Sequence, residues 1–245
     1  MTTPSDPYYR DDLALVHHRG FGFHAEACAP GILTLLEPIR ERHGLVLEIG
    51  CGSGLLTEEL VAAGHRVMAT DASPAMLRLA RETAPGAEEI IRLTLPDDPV
   101  PEADAVVGIG HALNYLPDAD AFDRALRSVA RALLPGGVLA IDVCDLEWGA
   151  THTQESLGRV GDDWAIVSRF STPSPDRYVR DMTTFVRNGD GSWRRDDERH
   201  DNVLIDTSKI PALLAAEGLR VEVGASFGGE NLPAGLRTLV GQRPG

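Results

Sequence analysis

The sequence predicts an open, doubly wound α/β sheet, mostly parallel, with an antiparallel β insertion after the fifth strand. Three observations carry that prediction. From residue 45 to 143, short apolar runs alternate with segments of helical period, the pattern of a parallel sheet covered on both faces. A glycine-rich turn, 50–54, joins the first apolar run directly to a helical stretch. Between 145 and 205 the apolar period drops to two, punctuated by Pro173, Pro175, Asn188, Gly189 and Gly191, which signals antiparallel strands.

Taken in order, residues 11–18 suit a short helix stopping near Gly20. Residues 25–42 read as one helix with an apolar stripe of Ile32, Leu33, Leu35, Leu36 and Ile39, ended by Gly44. Strand 45–49 is apolar except for Glu48; helix 55–63 follows the glycine turn and closes at Gly64. Strand 66–70 leads to Ser73-Pro74, a cap followed by proline at the first helical position, which opens a helix to about residue 83. Strands are expected at 90–93, 105–109 and 138–143, with helix 118–134 before the break at Pro135-Gly136-Gly137. The insertion should contribute strands 164–170, 178–187 and 193–203, with a hairpin turn near 188–191. Thr207-Ser208 can cap a helix to residue 217, and strands 220–225 and 236–240 complete the sheet.

The chain's 245 residues carry a formal net charge of −14, with 43% hydrophobic residues and a single lysine, Lys209. Binding a polyanion draws its affinity from neutralised phosphates, so this balance argues against nucleic acid as a partner. Cys28, Cys51 and Cys144 are odd in number and far apart, without the spacing of a disulfide framework or a zinc site. No metal is expected. The first ten residues lack the apolar core of a secretory leader, and no apolar run approaches the ~20 residues that cross a bilayer. A cytoplasmic protein with no membrane partner, monomer or homodimer, is the expectation.

The strongest chemical signal is Glu48-Ile49-Gly50-Cys51-Gly52-Ser53-Gly54 between strand and helix. Glycine at alternate positions permits a tight turn and close approach of backbone N–H groups to a ligand. The dinucleotide fingerprint places its third glycine one residue later, where this chain has Leu55, which disfavours a nucleotide-dependent oxidoreductase. This stretch resembles motif I of class I S-adenosylmethionine (SAM)-dependent methyltransferases, which have a Rossmann-like fold. The resemblance runs from about residue 44 to 143. It implies that Glu48, Gly50, Cys51, Gly52 and Gly54 form the loop around the methionine part of SAM. It further implies that Asp71, at the end of the second strand, holds the ribose hydroxyls. The continuation Ala72-Ser73-Pro74-Ala75-Met76-Leu77 is similar to that of the family, with Ala72 beside the cofactor and Met76 packed on adenine. The adenine N6 contact, often acidic, falls here to Thr94 beside Leu95, with Asp97 or Asp98 as alternatives.

In the same layout the loop after the fourth strand, Gly110-His111-Ala112-Leu113-Asn114-Tyr115, faces the methyl group. Gly110 and His111 would touch the methionine moiety. His111 is the candidate general base and Tyr115 the candidate for orienting the acceptor; capping and packing are the bland alternatives for the two. The aromatic and imidazole-rich N-terminal segment, with Tyr8, Tyr9, His17, His18, Phe21 and His24, resembles lids that close over SAM, and Phe21 is taken as a cofactor contact. Glu198, His200 and Asn202 alternate along one strand and share a face, lining either an acceptor pocket or the solvated side of a sheet.

The expected organisation is an N-terminal helical lid (1–43), a SAM-binding Rossmann-like domain (44–144 and 206–245) and an antiparallel acceptor cover (145–205). This layout resembles N-methyltransferases of deoxyaminosugar biosynthesis. The implied function is methyl transfer from SAM, leaving S-adenosylhomocysteine, to an O or N of a small-molecule acceptor. The rival is a SAM-binding protein that methylates nothing, a sensor or a SAM-assisted enzyme. Gly224-Ala225-Ser226-Phe227-Gly228 matches a hydrolase nucleophile pattern, but turn residues follow where a helix is required.

Overall fold

The structure is a computed structural model that describes residues 8–152 and 156–245. Its centre is a seven-stranded sheet. Five strands are parallel: β1 (Leu45–Ile49), β2 (Arg66–Asp71), β3 (Glu89–Arg92), β4 (Ala103–Gly108) and β5 (Leu133–Cys144). Two more, β10 (Arg220–Gly224) and β11 (Leu236–Gln242), finish it, with β11 antiparallel to both of its neighbours. The order β10-β11-β5-β4-β1-β2-β3 puts the reversal of winding between β1 and β4. At such a switch point the loops leaving the strand ends diverge and open a crevice.

One face of the sheet packs on α6 (Ala119–Ala132) and α8 (Ile210–Ala215), through Phe122, Leu126, Leu139 and Leu214. The other packs on α2 (Phe23–Leu35), α3 (Glu37–Glu41) and α4 (Leu55–Ala62), through Ile32, Leu36, Leu60 and Val107. Buried aliphatic area of this kind stabilises at roughly 25 cal/mol per Å². On the β2–β3 side, α5 (Pro74–Thr83) is capped by Ser73, whose Oγ accepts from the Met76 N–H at 3.1 Å.

A separate four-stranded antiparallel sheet has the order β6-β7-β8-β9. Its strands are β6 (Ser156–Val160), β7 (Trp164–Ser174), β8 (Arg177–Arg187) and β9 (Trp193–Val203). Its inner face covers α1 (Asp11–Gly20) through Leu13, Val16, Trp164, Ile166 and Met182. α7 (Leu146–Thr151) links the two sheets.

Several elements differ from expectation, each for a local reason. The single helix expected over 25–42 is two, broken at Leu36, because Pro38 has no N–H for the i−4 carbonyl and its ring crowds that turn. α6 ends at Ala132 rather than 134, since Leu134 precedes Pro135 and is pushed toward extended backbone; β5 begins at Leu133. The cap after β9 is Asp206, whose carboxylate accepts from the Ser208 N–H, while the Thr207 hydroxyl turns inward to Asp145. β6 was not anticipated: it is an edge strand with no buried residue, so no period-two signal marks it. No described helix is long and apolar enough to cross a membrane. Residues 224–228 run into a turn held by Glu230, with no helix behind Ser226.

Candidate functional site

The turn after β1 is built by three left-handed glycines, Gly50, Gly52 and Gly54, with φ of 64°, 54° and 84°. Their reasons differ. A Cβ at Gly50 would lie 2.4 Å from the Ala112 Cβ of the loop after β4, and one at Gly54 3.0 Å from Ala80 Cα. A Cβ at Gly52 would meet nothing closer than the Met76 sulfur at 4.0 Å. Protein packing therefore explains Gly50 and Gly54, whereas Gly52 leaves its free space on the side of the crevice.

That crevice is a cavity of about 620 Å³. Gly50, Gly52, Asp71, Ala72 and Met76 line one side, Leu93, Thr94 and Leu95 the end beyond β3, and Gly110 and Tyr115 the opposite side. Asp71 accepts from the Gly52 N–H at 2.9 Å and the Ser73 N–H at 2.8 Å. Burial raises its pKa, against the lowering effect of backbone bonds from Ser73, Gly52 and Ala72, and the carboxylate keeps acceptor capacity for a ligand. Thr94 lines the cavity while its N–H donates to Asp98 at 2.7 Å; Asp97 and Asp98 are exposed and off the cavity. Together these features fit SAM: a carboxylate for vicinal hydroxyls, an apolar slot between Met76 and Leu93–Leu95, and an unfilled approach at Gly52.

Glu48, Cys51 and Gly54 lie beneath the turn instead of on the cavity. Glu48 accepts from the Thr57 hydroxyl at 2.7 Å; burial, together with the nearby Asp71 charge, pushes its pKa up to about 8. Phe21 stacks on His17 at 5.5 Å, under the Arg159 guanidinium, and does not reach the cavity.

The loop after β4 hangs on Asp142 of β5. This carboxylate, wholly buried, accepts from the Gly110 N–H at 3.1 Å, the His111 N–H at 2.6 Å and His24 Nε2 at 2.7 Å. Burial works against charge on His24, but its bond to Asp142 prevails and raises its pKa. Asn114 then pins the one-turn 3-10 segment Ala112–Tyr115 to both sheets, donating to the carbonyls of Cys144 at 3.1 Å and Val203 at 2.6 Å. His111 has a left-handed backbone with φ of 50° and stacks on Tyr115 with ring centroids 5.5 Å apart. Its Nδ1 is buried without a hydrogen bond, and burial together with the Arg180 charge holds its pKa well below 6.5.

Facing this loop, the inner side of β8–β9 carries a polar network. Tyr9 is clasped at both main-chain atoms: its N–H donates to Glu198 Oε2 at 2.9 Å, and its carbonyl accepts from Ser73 Oγ at 2.7 Å. The next N–H, of Arg10, donates to Glu198 Oε1 at 2.7 Å. Glu198 Oε2 also bonds His200 Nε2 at 3.0 Å, and His200 Nδ1 lies 3.5 Å from Arg180 Nη2. Arg180 donates to the Tyr115 hydroxyl, which sits 2.8 Å from that of Tyr9. Burial, then the Arg180 charge, lowers His17 to about 4; burial foremost lowers His200 to about 4. Burial raises Tyr115 well above 10, so it is a neutral phenol at ordinary pH.

The Glu198, His200 and Asn202 face is thus buried, not solvated. His111 adjoins Tyr115 but is not part of the cavity wall described above. Sequence reading passed over Asp142 and Arg180. Both left a signal: a carboxylate near the end of an apolar strand, and a cation at the inward register between Tyr178 and Met182.

Residues 46–137 match the family model described as a methyltransferase domain. Over that stretch the chain is similar to methyltransferase domains, a likeness that supports a class I SAM-dependent methyltransferase. A relative, the Bacillus subtilis protein YqeM, described as a candidate methyltransferase, is 27% identical over 191 residues, 75% of this chain and 77% of that one. Among solved structures, the sugar N-methyltransferase KedS8 of Streptoalloteichus is similar in fold, with a TM-score of 0.76 and 24% identity over 100% of this chain and 99% of that one. SAM-bound CalS10 of Micromonospora echinaspora, an amino pentose methyltransferase, has a TM-score of 0.70 and 22% identity over 98% of this chain and 100% of that one.

Proposed function

We propose that this methyltransferase transfers the methyl group of SAM to a nitrogen or oxygen of a small-molecule acceptor. One observation carries the reading: the residues assigned to the cofactor share a single cavity with Tyr8, Tyr9, Tyr115 and Glu198, which close its far side. A roof supplied by the N-terminal segment and β9 leaves room for a small acceptor and little for a polymer. The likeness of the fold to a sugar N-methyltransferase and an amino pentose methyltransferase supports a small-molecule acceptor.

In this reading Asp71 takes the ribose hydroxyls, Met76, Leu93 and Leu95 flank the adenine, and Thr94 offers its hydroxyl at the adenine edge. Gly50, Gly52, Ala72 and Gly110 give the backbone surface along the methionine part. Glu48, Cys51 and Gly54 act from below by holding the turn. SAM supplies an activated methyl on a sulfonium, so alignment and exclusion of water account for much of the rate. Tyr115 orients the acceptor. His111 presents a neutral imidazole, because Asp142 fixes its backbone while burial and Arg180 disfavour the cation. In the role proposed for it, an acceptor that reaches past Tyr115 to its ring donates an N–H or O–H to it, and the imidazole takes a proton only as the acceptor gains positive charge.

The test measures S-adenosylhomocysteine release with panels of small amines, aminosugars and phenols, beside RNA, DNA and unfolded polypeptide. Turnover confined to a small-molecule panel is expected; turnover with a polymer alone overturns the reading. For His111, loss of turnover in His111→Ala with SAM binding intact is the expected signature.

A further inference from the structure

Arg180 is a cation without a counter-charge. Its Nε is buried with no hydrogen-bond partner, and its Nη2 bonds only the neutral Tyr115 phenol and a ring nitrogen of His200. No described carboxylate forms an ion pair with it. Glu198 is committed to His200 and two backbone N–H groups, and Asp142 to His24 and the loop after β4. Around the guanidinium, burial disfavours the charged forms of His17 of α1, His111, His200, Tyr115, Tyr178 and Cys144, so none of these supplies an anion at neutral pH, and Tyr9 lies beside them.

A guanidinium nitrogen buried without a partner is destabilising, and an arginine fork is matched by a planar or tetrahedral oxyanion. Aromatic side chains surround it. Phe170, Arg180 and His200 stand in register across β7, β8 and β9. From Arg180 the wall continues through Tyr178, stacked on Phe170 at 5.9 Å, to Trp148, edge-on at 6.1 Å, and back to His111 at 6.0 Å. These rings and Arg180 are only partly covered, apart from the buried Tyr178. The guanidinium thus lies over the Tyr115 ring and among further aromatic side chains, beside the loop after β4.

Resting on the small-molecule reading above, we propose that the methyl acceptor carries an oxyanion, a carboxylate or a phosphate, that pairs with Arg180. The unpaired Nε supplies one donor of a bidentate contact. The aromatic walls take the apolar body of the acceptor.

The experiment titrates S-adenosylhomocysteine-saturated protein with benzoate, inorganic phosphate and the uncharged analogue benzamide, by calorimetry, for wild type, Arg180→Met and Arg180→Lys. At least one oxyanion should bind the wild type tenfold or more tighter than benzamide. That preference should vanish in Arg180→Met and survive in part in Arg180→Lys, and the better of the two anions names the group. SAM affinity should stay within about twofold in both variants. The proposal is overturned if benzamide binds as well as both anions, or if Arg180→Met keeps the preference. A tenfold loss of SAM affinity in Arg180→Met also overturns it, by assigning the guanidinium to the carboxylate of the cofactor. Should Arg180→Met fail to fold by circular dichroism, the wild-type preference and Arg180→Lys still decide. Failure of the wild type to bind SAM would count against the functional reading instead, and is read separately.

Discussion

The two sides of the crevice are made differently. The side assigned to the cofactor is local: a seven-residue turn, the aspartate ending the next strand and the first turn of α5, with most of its polar atoms on the backbone. The side facing it is assembled from Tyr9, Tyr115, Arg180, Glu198 and His200, side chains drawn from the two ends of the chain and its middle. The first side needs glycines and one carboxylate at fixed spacing. The second needs a tertiary fold before any of its contacts exists.

The largest expected effect lies on the local side. Asp71→Ala removes the partner of two backbone N–H groups and the ribose acceptor. At roughly 1.5–3 kcal/mol per bond to a charged group, SAM affinity should fall about a hundredfold by calorimetry. If the loss is under threefold, the cofactor is not held there.

The glycines sharpen the contrast within that side. Gly50→Ala puts a methyl 2.4 Å from Ala112 and should lower unfolding stability by about 2–3 kcal/mol, read from a denaturant midpoint. Gly52→Ala meets only open space, so its stability loss should be about 1–2 kcal/mol from the left-handed backbone alone. Its loss of SAM affinity should be the greater of the two. Equal effects on affinity would remove the distinction between packing and approach.

The sides should also respond oppositely to pH. Glu48 sits at about 8 in the folded chain against an ordinary 4.5, so the native state holds the extra proton and stability falls as pH rises from 4.5 through 8. His17 and His200 sit at about 4 against 6.5, so the unfolded chain holds the extra proton and stability falls as pH drops from 6.5 toward 4. For the fully buried His200 the acid loss approaches about 3 kcal/mol at 1.36 kcal/mol per pH unit. Thermal melts from pH 4.5 to 8.5 should show Glu48→Gln flattening the alkaline limb and His200→Gln the acid limb. An unchanged limb removes that residue from the account. The smallest effect is expected at the adenine edge: Thr94→Ala should weaken SAM less than tenfold, the scale of one neutral hydrogen bond of about 1 kcal/mol.

Legibility followed the same division. The parallel sheet, the glycine turn and Asp71 were readable because each depends on neighbours within a few positions. Helix ends were missed where one proline changed the outcome, as at Pro38 and Pro135. β6 was missed because an exposed edge strand leaves no alternation. Along β9 the alternation of Glu198, His200 and Asn202 was visible, but whether that face meets solvent or protein depends on the N-terminal segment and the loop after β4 lying over it. Arg180 was passed over because a charge in a strand ordinarily points outward, and only the register with Phe170 and His200 shows that it points in.

The clasp on Tyr9 has a consequence for how the two ligands meet. One peptide segment is tied through its N–H to β9 and through its carbonyl to the cap of α5. A movement that admits a molecule on one side must strain or release a bond on the other. On the proposed placement of cofactor and acceptor, their occupancies are joined in one thermodynamic cycle, in which each changes the other's dissociation constant by the same factor. The hinge of that cycle is a main chain, so no side-chain replacement at Tyr9 alone would uncouple it.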